Sequence, residues 1–287
     1  MTIPQPVIDL YDAFTHGRLS RRDFMQRLTK QAGGAAAATA MLSLLRNDYA
    51  MAAMVAEDDG RLTTGTDKIN WRAGSVNAYT AAPKSGGKRA SVIVIHENRG
   101  LNAHIKDIAR RIALEGFNAY APDLLTEMGG TPADEDKARD MIGKLDAAKA
   151  VQNLTAVLGH ANAKPDATAK SGAVGFCWGG GMTNQLAVHA QNLNAAVAYY
   201  GPQPADADAA KIKAAVMLHY AAKDEWVGKG IKAYEAALTA AKVEFQAFVY
   251  AGAQHAFNND TNAARYDKAS AELAWGRTIG FLKAKLT

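Results

Sequence analysis

The chain has 287 residues, 48% of them hydrophobic and 21% charged, which is ample material for a buried α/β core. Lys and Arg number 33 against 28 Asp and Glu, and no run of five like charges occurs. A polyanion-binding protein would normally cluster its basic residues on a face or tail, so no nucleic-acid partner is expected.

In chain order, the first sixty residues differ in kind from the rest. Ser20-Arg21-Arg22-Asp23-Phe24-Met25 resembles a twin-arginine export signal. An Ala-rich stretch follows from Ala32 to Leu45, about fourteen residues against the ~20 needed to cross a bilayer, so no permanent membrane span is expected. Tyr49-Ala50-Met51-Ala52-Ala53 then offers a small-residue cleavage site. Two expectations stand side by side: periplasmic delivery by twin-arginine export, or a cytoplasmic protein that keeps a pair of helices packed on its body. The organisation expected is an N-terminal extension over 1–60 and an α/β catalytic domain over 61–287.

From Asp67 onward, apolar runs alternate with helical periodicity. "KINWRAGSVNAYTAAP" predicts two short strands turning at Gly74, and the β-branched run Ala90 to Glu97 predicts a strand covered on both faces. Ile105 to Glu115 reads as a helix stopped by Gly116, "FNAYAPDLL" as a strand, and Ala133 to His160 as helix interrupted near Gly143. Further strands are predicted at "SGAVGFC", "AAVAYYG", "AAVMLHYA" and "EFQAFVYA", with helices at Gly179 to His189, Lys229 to Ala240 and Tyr266 to Lys285. Such alternation implies a mostly parallel sheet with helices on both faces and functional loops at the carboxyl ends of its strands.

The single cysteine, Cys177, excludes an intrachain disulfide and a cysteine-based zinc cluster. The seven histidines form no HxH or HxxxH pair, so no metal site is expected. Gly175-Phe176-Cys177-Trp178-Gly179 fits the G-x-nucleophile-x-G elbow, a tight strand-to-helix turn whose flanking positions leave no room for side chains. The dipoles of the helix that follows favour negative charge on the sulfur. Asp224 and His255 then fall just past two later strands, in the order nucleophile, acid, histidine. Asp224 alone reads equally as a helix cap, and Cys177 alone as a small buried apolar residue.

Four stretches resemble the dienelactone hydrolase family, cysteine-dependent members of the α/β-hydrolase fold: "VIVIHENRGLNAHIKDIARRIALEGFNAYAPDLL", "AVGFCWGGGM", "AAKDEWV" and "YAGAQHAF". The resemblance runs from Asp67 to the C-terminus. It implies Cys177 as nucleophile, His255 as base and then acid, Asp224 as orienter of the imidazole, and Glu97 as the group that holds the resting thiol. It also implies an oxyanion hole from the backbone N–H groups of Trp178 and Asn98, where loss of one donor costs roughly 10²–10³ in turnover.

The reaction implied is ester or lactone hydrolysis through an acyl-cysteine, with no cofactor. Family members that act on dienelactone hold its carboxylate with arginines. Asn259 stands at one of those positions here, and Arg139 or Lys137 is the candidate for the other. Trp178 and Trp226 suggest an apolar or aromatic acyl pocket. Two other classes compete: a thiol redox protein using Cys177 alone, and a non-catalytic fold member that binds a small ligand. Neither the substrate nor the oligomeric state is legible.

Overall fold

The computed structural model describes residues 3–49 and 54–287; positions 50–53 of the expected cleavage stretch lie outside the described residues. Three helices, rather than the expected pair, open the chain: α1 (Gln5–Thr15), α2 (Arg21–Ala32) and α3 (Ala35–Leu45). Ser20 caps α2 by accepting from the Asp23 N–H at 3.1 Å, and Gly33 ends it at φ 77°, a left-handed conformation glycine adopts freely. Val7, Ile8, Tyr11, Phe14, Phe24 and Leu28 bury against one another as a separate small core. The helices are fixed to the body by Asn262 Nδ2 donating to Leu45 O at 2.6 Å and Arg265 pairing with Asp12 at 2.8 Å. Arg21, one of the arginine pair, pairs with Asp136.

The body is an eight-stranded sheet in the order β1-β2-β4-β3-β5-β6-β7-β8. The strands are β1 (Leu62–Trp71), β2 (Gly74–Pro83), β3 (Arg89–Ile95), β4 (Asn118–Asp123), β5 (Ala167–Phe176), β6 (Ala195–Tyr199), β7 (Ala215–Ala221) and β8 (Phe245–Tyr250). β1 and β2 form an antiparallel hairpin at one edge, β2 pairs antiparallel with β4, and every later pairing is parallel. The hairpin turns at Arg72 and Ala73; Gly74, expected at the turn, instead opens β2 opposite Trp71.

Burial on both faces explains the β-branched run in β3. Val92 and Val94 pack on one side with the helices α4 (Ala103–Leu114) and α10 (Lys268–Leu286). Ile93 and Ile95 pack on the other with α6 (Ala147–Asn162) and α7 (Trp178–His189), after the shorter α5 (Glu135–Ile142). The helix expected over Lys229 to Ala240 is α9 (Ile231–Ala240), and a short additional helix, α8 (Glu225–Gly228), precedes it. This winding brings the ends of β3, β5, β7 and β8 to one edge of the sheet.

Candidate active site

β5 stops at Phe176, and α7 starts at Trp178. Cys177 between them sits at φ 54°, ψ −118°, a strained conformation for a residue with a Cβ, and its N–H is held by Tyr199 O at 3.0 Å. The neighbouring glycines are obligatory. A Cβ on Gly175 would stand 2.1 Å from Gly179 O, and one on Gly179 would stand 2.4 Å from the carbonyls of both Ile95 and His96. The bend is therefore clamped by β3 and β6, and the thiol, 4% exposed, is aimed at the sheet edge.

Asp224 lies three residues past β7, and His255 five past β8. The two residues meet through Asp224 Oδ2 and His255 Nδ1 at 2.5 Å. Asp224 also caps α8, its Oδ1 accepting from the Val227 N–H at 3.1 Å, so the cap leaves its other oxygen to His255. Burial would pull the His255 pKa down, but the Asp224 carboxylate and the Cys177 sulfur outweigh it and hold the ring well above the usual histidine range. Burial likewise opposes the Asp224 charge, and His255 overcomes it to keep that carboxyl below its usual pKa.

Glu97, just past β3, is buried and engaged elsewhere than on the thiol. Its Oε2 accepts from Asn259 Nδ2 at 2.7 Å, and its Oε1 from the Tyr200 hydroxyl at 3.4 Å. Asn259 thus spends its amide on Glu97 rather than on the cavity. Trp178 and Asn98 follow the paired strands β5 and β3; the Asn98 side chain donates to Thr15 O at 2.8 Å, and the Trp178 ring stacks on His96.

A cavity of about 490 Å³ opens beside the sulfur, lined by Cys177, Trp178, Trp226, Arg139, Ile142 and His16 among others. Arg139 presents less charge than its position suggests. Its guanidinium bonds Asp136 at 3.1 Å and Asp140 at 2.8 Å and lies over the Phe14 ring.

His16 was invisible to sequence reasoning. Its Nε2 lies 3.2 Å from His255 Nε2 and 3.5 Å from Cys177 Sγ, across sequence separations of 239 and 161 residues that no local motif encodes. The three donor atoms all lie within 4.8 Å of one another. His16 Nδ1 contacts the carbonyl of Asp12 at 2.7 Å; since a carbonyl only accepts, Nδ1 carries the proton. Burial and the neighbouring His255 push the His16 pKa well below the usual value, so His16 is the neutral ring of the pair.

A family model described as the dienelactone hydrolase family matches residues 76–286, and one described as YqhI-like matches residues 1–33. An Escherichia coli protein named "Putative carboxymethylenebutenolidase" is 32% identical over 271 residues, covering 89% of this chain and 96% of that one. Among solved structures, one titled "Putative Dienelactone Hydrolase" from Klebsiella pneumoniae superposes with a TM-score of 0.72 at 31% identity, covering 77% of this chain and 98% of the other. A dienelactone hydrolase-like promiscuous phosphotriesterase from metagenomic libraries gives 0.68 at 25% identity, covering 79% and 100%.

Proposed function

The chain belongs to the dienelactone hydrolase family and has its α/β-hydrolase fold, and we propose that it hydrolyses esters or lactones through an acyl-cysteine on Cys177. The observation that carries this reading is the 2.5 Å Asp224–His255 bond beside a thiol on a glycine-clamped, positive-φ bend. That arrangement gives a nucleophile, a base and an orienter for the base.

In the first half-reaction His255 Nε2 takes the thiol proton, and sulfur attacks the acyl carbon. The carbonyl electrons move onto oxygen, where the N–H groups of Trp178 and Asn98 receive them. Collapse breaks the acyl–oxygen bond; His255 returns its proton to the departing alkoxide, leaving a thioester. In the second, His255 takes a proton from water, hydroxide adds to the thioester, and collapse releases the acid and the sulfur, which regains the proton from His255. Asp224 keeps the ring in the tautomer whose Nε2 faces the chemistry and stabilises the imidazolium between steps.

The cavity suits an apolar or aromatic ester or lactone better than dienelactone itself. Trp178, Trp226 and Ile142 line it, while Arg139 is already ion-paired and Asn259 is turned to Glu97. A panel of aryl acetates, lactones and an aryl phosphotriester, run with wild type and Cys177→Ala, tests the reading. Turnover of at least one carboxylic ester or lactone is expected, falling at least about 10³-fold in the variant. Equal turnover by the two proteins refutes it.

A further inference from the structure

We propose that His16, Cys177 and His255 form a site for a thiophilic divalent cation, Zn(II) in the first instance, and that occupancy by the metal switches the hydrolase off. The inference rests on the cysteine-hydrolase reading only for the switching; the site itself stands on geometry.

A tetrahedral Zn(II) with bonds of about 2.0–2.1 Å to nitrogen and about 2.3 Å to sulfur sets its ligand atoms about 3.3 Å apart for N···N and about 3.5 Å apart for N···S. His16 Nε2 to His255 Nε2 is 3.2 Å, and His16 Nε2 to Cys177 Sγ is 3.5 Å; the third edge, His255 Nε2 to Cys177 Sγ, is within 4.8 Å and has to close to about 3.5 Å as the ion binds. The donor set, two imidazoles and a thiolate, is one that suits zinc.

The outer contacts are those that metal-binding histidines need. The Asp12 carbonyl fixes His16 Nδ1–H, and the Asp224 carboxylate fixes His255 Nδ1–H, so each ring turns its Nε2 inward, and loss of the proton between them leaves a lone pair on both. Two such lone pairs at 3.2 Å repel. A proton shared between the rings relieves that one edge of the triangle, whereas a cation at its centre relieves all three. The fourth coordination position faces the 490 Å³ cavity that His16 and Cys177 line, which gives the ion its path.

On binding, the thiol proton passes to solvent and a sulfur–metal bond forms. The sulfur pair that would attack the substrate and the Nε2 pair that would take its proton are then both engaged. Because His16 comes from the N-terminal helices, the metal also ties that segment to the elbow.

The test uses the full-length, metal-free chain titrated with Co(II) and Zn(II). One Co(II) per chain is expected, with the visible bands of tetrahedral cobalt and a sulfur-to-cobalt charge-transfer band. The latter is lost in Cys177→Ser. Zn(II) competition is expected to show affinity reduced more than about 100-fold in His16→Ala, a larger loss than removal of an outer-shell partner causes. His16→Gln, which keeps a polar side chain at the site, is expected to lose affinity equally, and circular dichroism of both variants checks that they fold. One equivalent of Zn(II) should abolish ester turnover by wild type, reversibly with chelator.

Absence of the charge-transfer band, or equal Zn(II) affinity in wild type and both folded His16 variants, overturns the site; unchanged or increased turnover with zinc bound overturns the switch. Cobalt absorption needs no hydrolysis, so a chain that binds metal but cleaves nothing sinks the hydrolase reading alone. A chain that cleaves esters without the band sinks this one alone.

Discussion

Asp224 does two jobs with two oxygens, and they can be separated. Asn in its place keeps an oxygen to cap α8 at Val227 but offers His255 either an amide N–H or a weaker, uncharged acceptor. Asp224→Asn is therefore expected to leave the thermal midpoint within a few degrees of wild type while turnover falls about 10⁴-fold, as expected when an imidazole loses its orienting charge. A loss of turnover that tracks a loss of folded protein would contradict the separation. Gly179 behaves oppositely. Its missing side chain makes room for the backbone carbonyls of Ile95 and His96 at the end of β3, which cannot retreat without disturbing the sheet. Gly179→Ala is expected to cost several kcal/mol, overpacking a core at its least compliant point, and to show as a large drop in urea midpoint. The order Cys177, Asp224, His255 was legible because each residue lies within five positions of a strand's end, and strands announce themselves by apolar runs. His16 was not, because a residue brought in from the far end of the chain leaves no spacing to read.

At the level of elements, the body was more legible than its edges. Periodicity located every strand from β2 to β8, most plainly the inner ones, where two-sided burial forces continuous apolar sequence. It misplaced the turn after β1 and did not mark α8 as a helix of its own, because turns and short helices are settled by local caps such as Asp224 rather than by hydrophobic pattern. The N-terminal helices were the least legible, their Ala-rich composition serving a signal sequence and a packed helix equally well. In the folded chain Thr15 to Gly17, at the end of α1, line the cavity, and Phe14 beside them is the segment's anchor: it stacks on Phe24 with centroids 4.6 Å apart and lies under the Arg139 guanidinium at 4.3 Å. Phe14→Ala is expected to cost the docked segment about 3–5 kcal/mol. Because the segment has its own small core, the loss should be local. Amide exchange is expected to accelerate across α1 and α2 and hardly at all in β3 to β7, with KM altered through the cavity wall. Uniform acceleration across the whole chain would show instead that the helices and the sheet unfold as one unit.

For the molecule as a whole, the dependence of stability on pH should be governed in part by a buried histidine that does not line the cavity. His219, on β7, is fully buried between Tyr199, Phe248 and Tyr250, with its ring nitrogens held by Tyr250 Oη at 2.9 Å and Thr278 Oγ1 at 3.0 Å. Burial, helped by the nearby Arg277 charge, drives its pKa from 6.5 down to about 3. Above pH 6.5 the ring is neutral in both the folded and unfolded chain, and it contributes nothing to pH dependence. Between that value and about 3 the unfolded chain binds a proton that the folded chain refuses, so stability falls with acidity by up to about 1.4 kcal/mol per pH unit. His219→Gln, which cannot take up this proton, is expected to be less stable near neutrality through lost ring packing, yet to lose stability more slowly on acidification. Urea unfolding of both proteins between about pH 7 and about pH 5 checks this, since carboxylates that titrate in the same range act equally in both and cancel in the difference. The gap between wild type and variant should hold steady above the crossover and narrow by up to about 1.4 kcal/mol for each unit below it. A gap that stays constant across the range would mean that water or a local opening reaches His219 and lets it charge in place. The β7 side of the sheet would then be less tightly sealed than its packing implies.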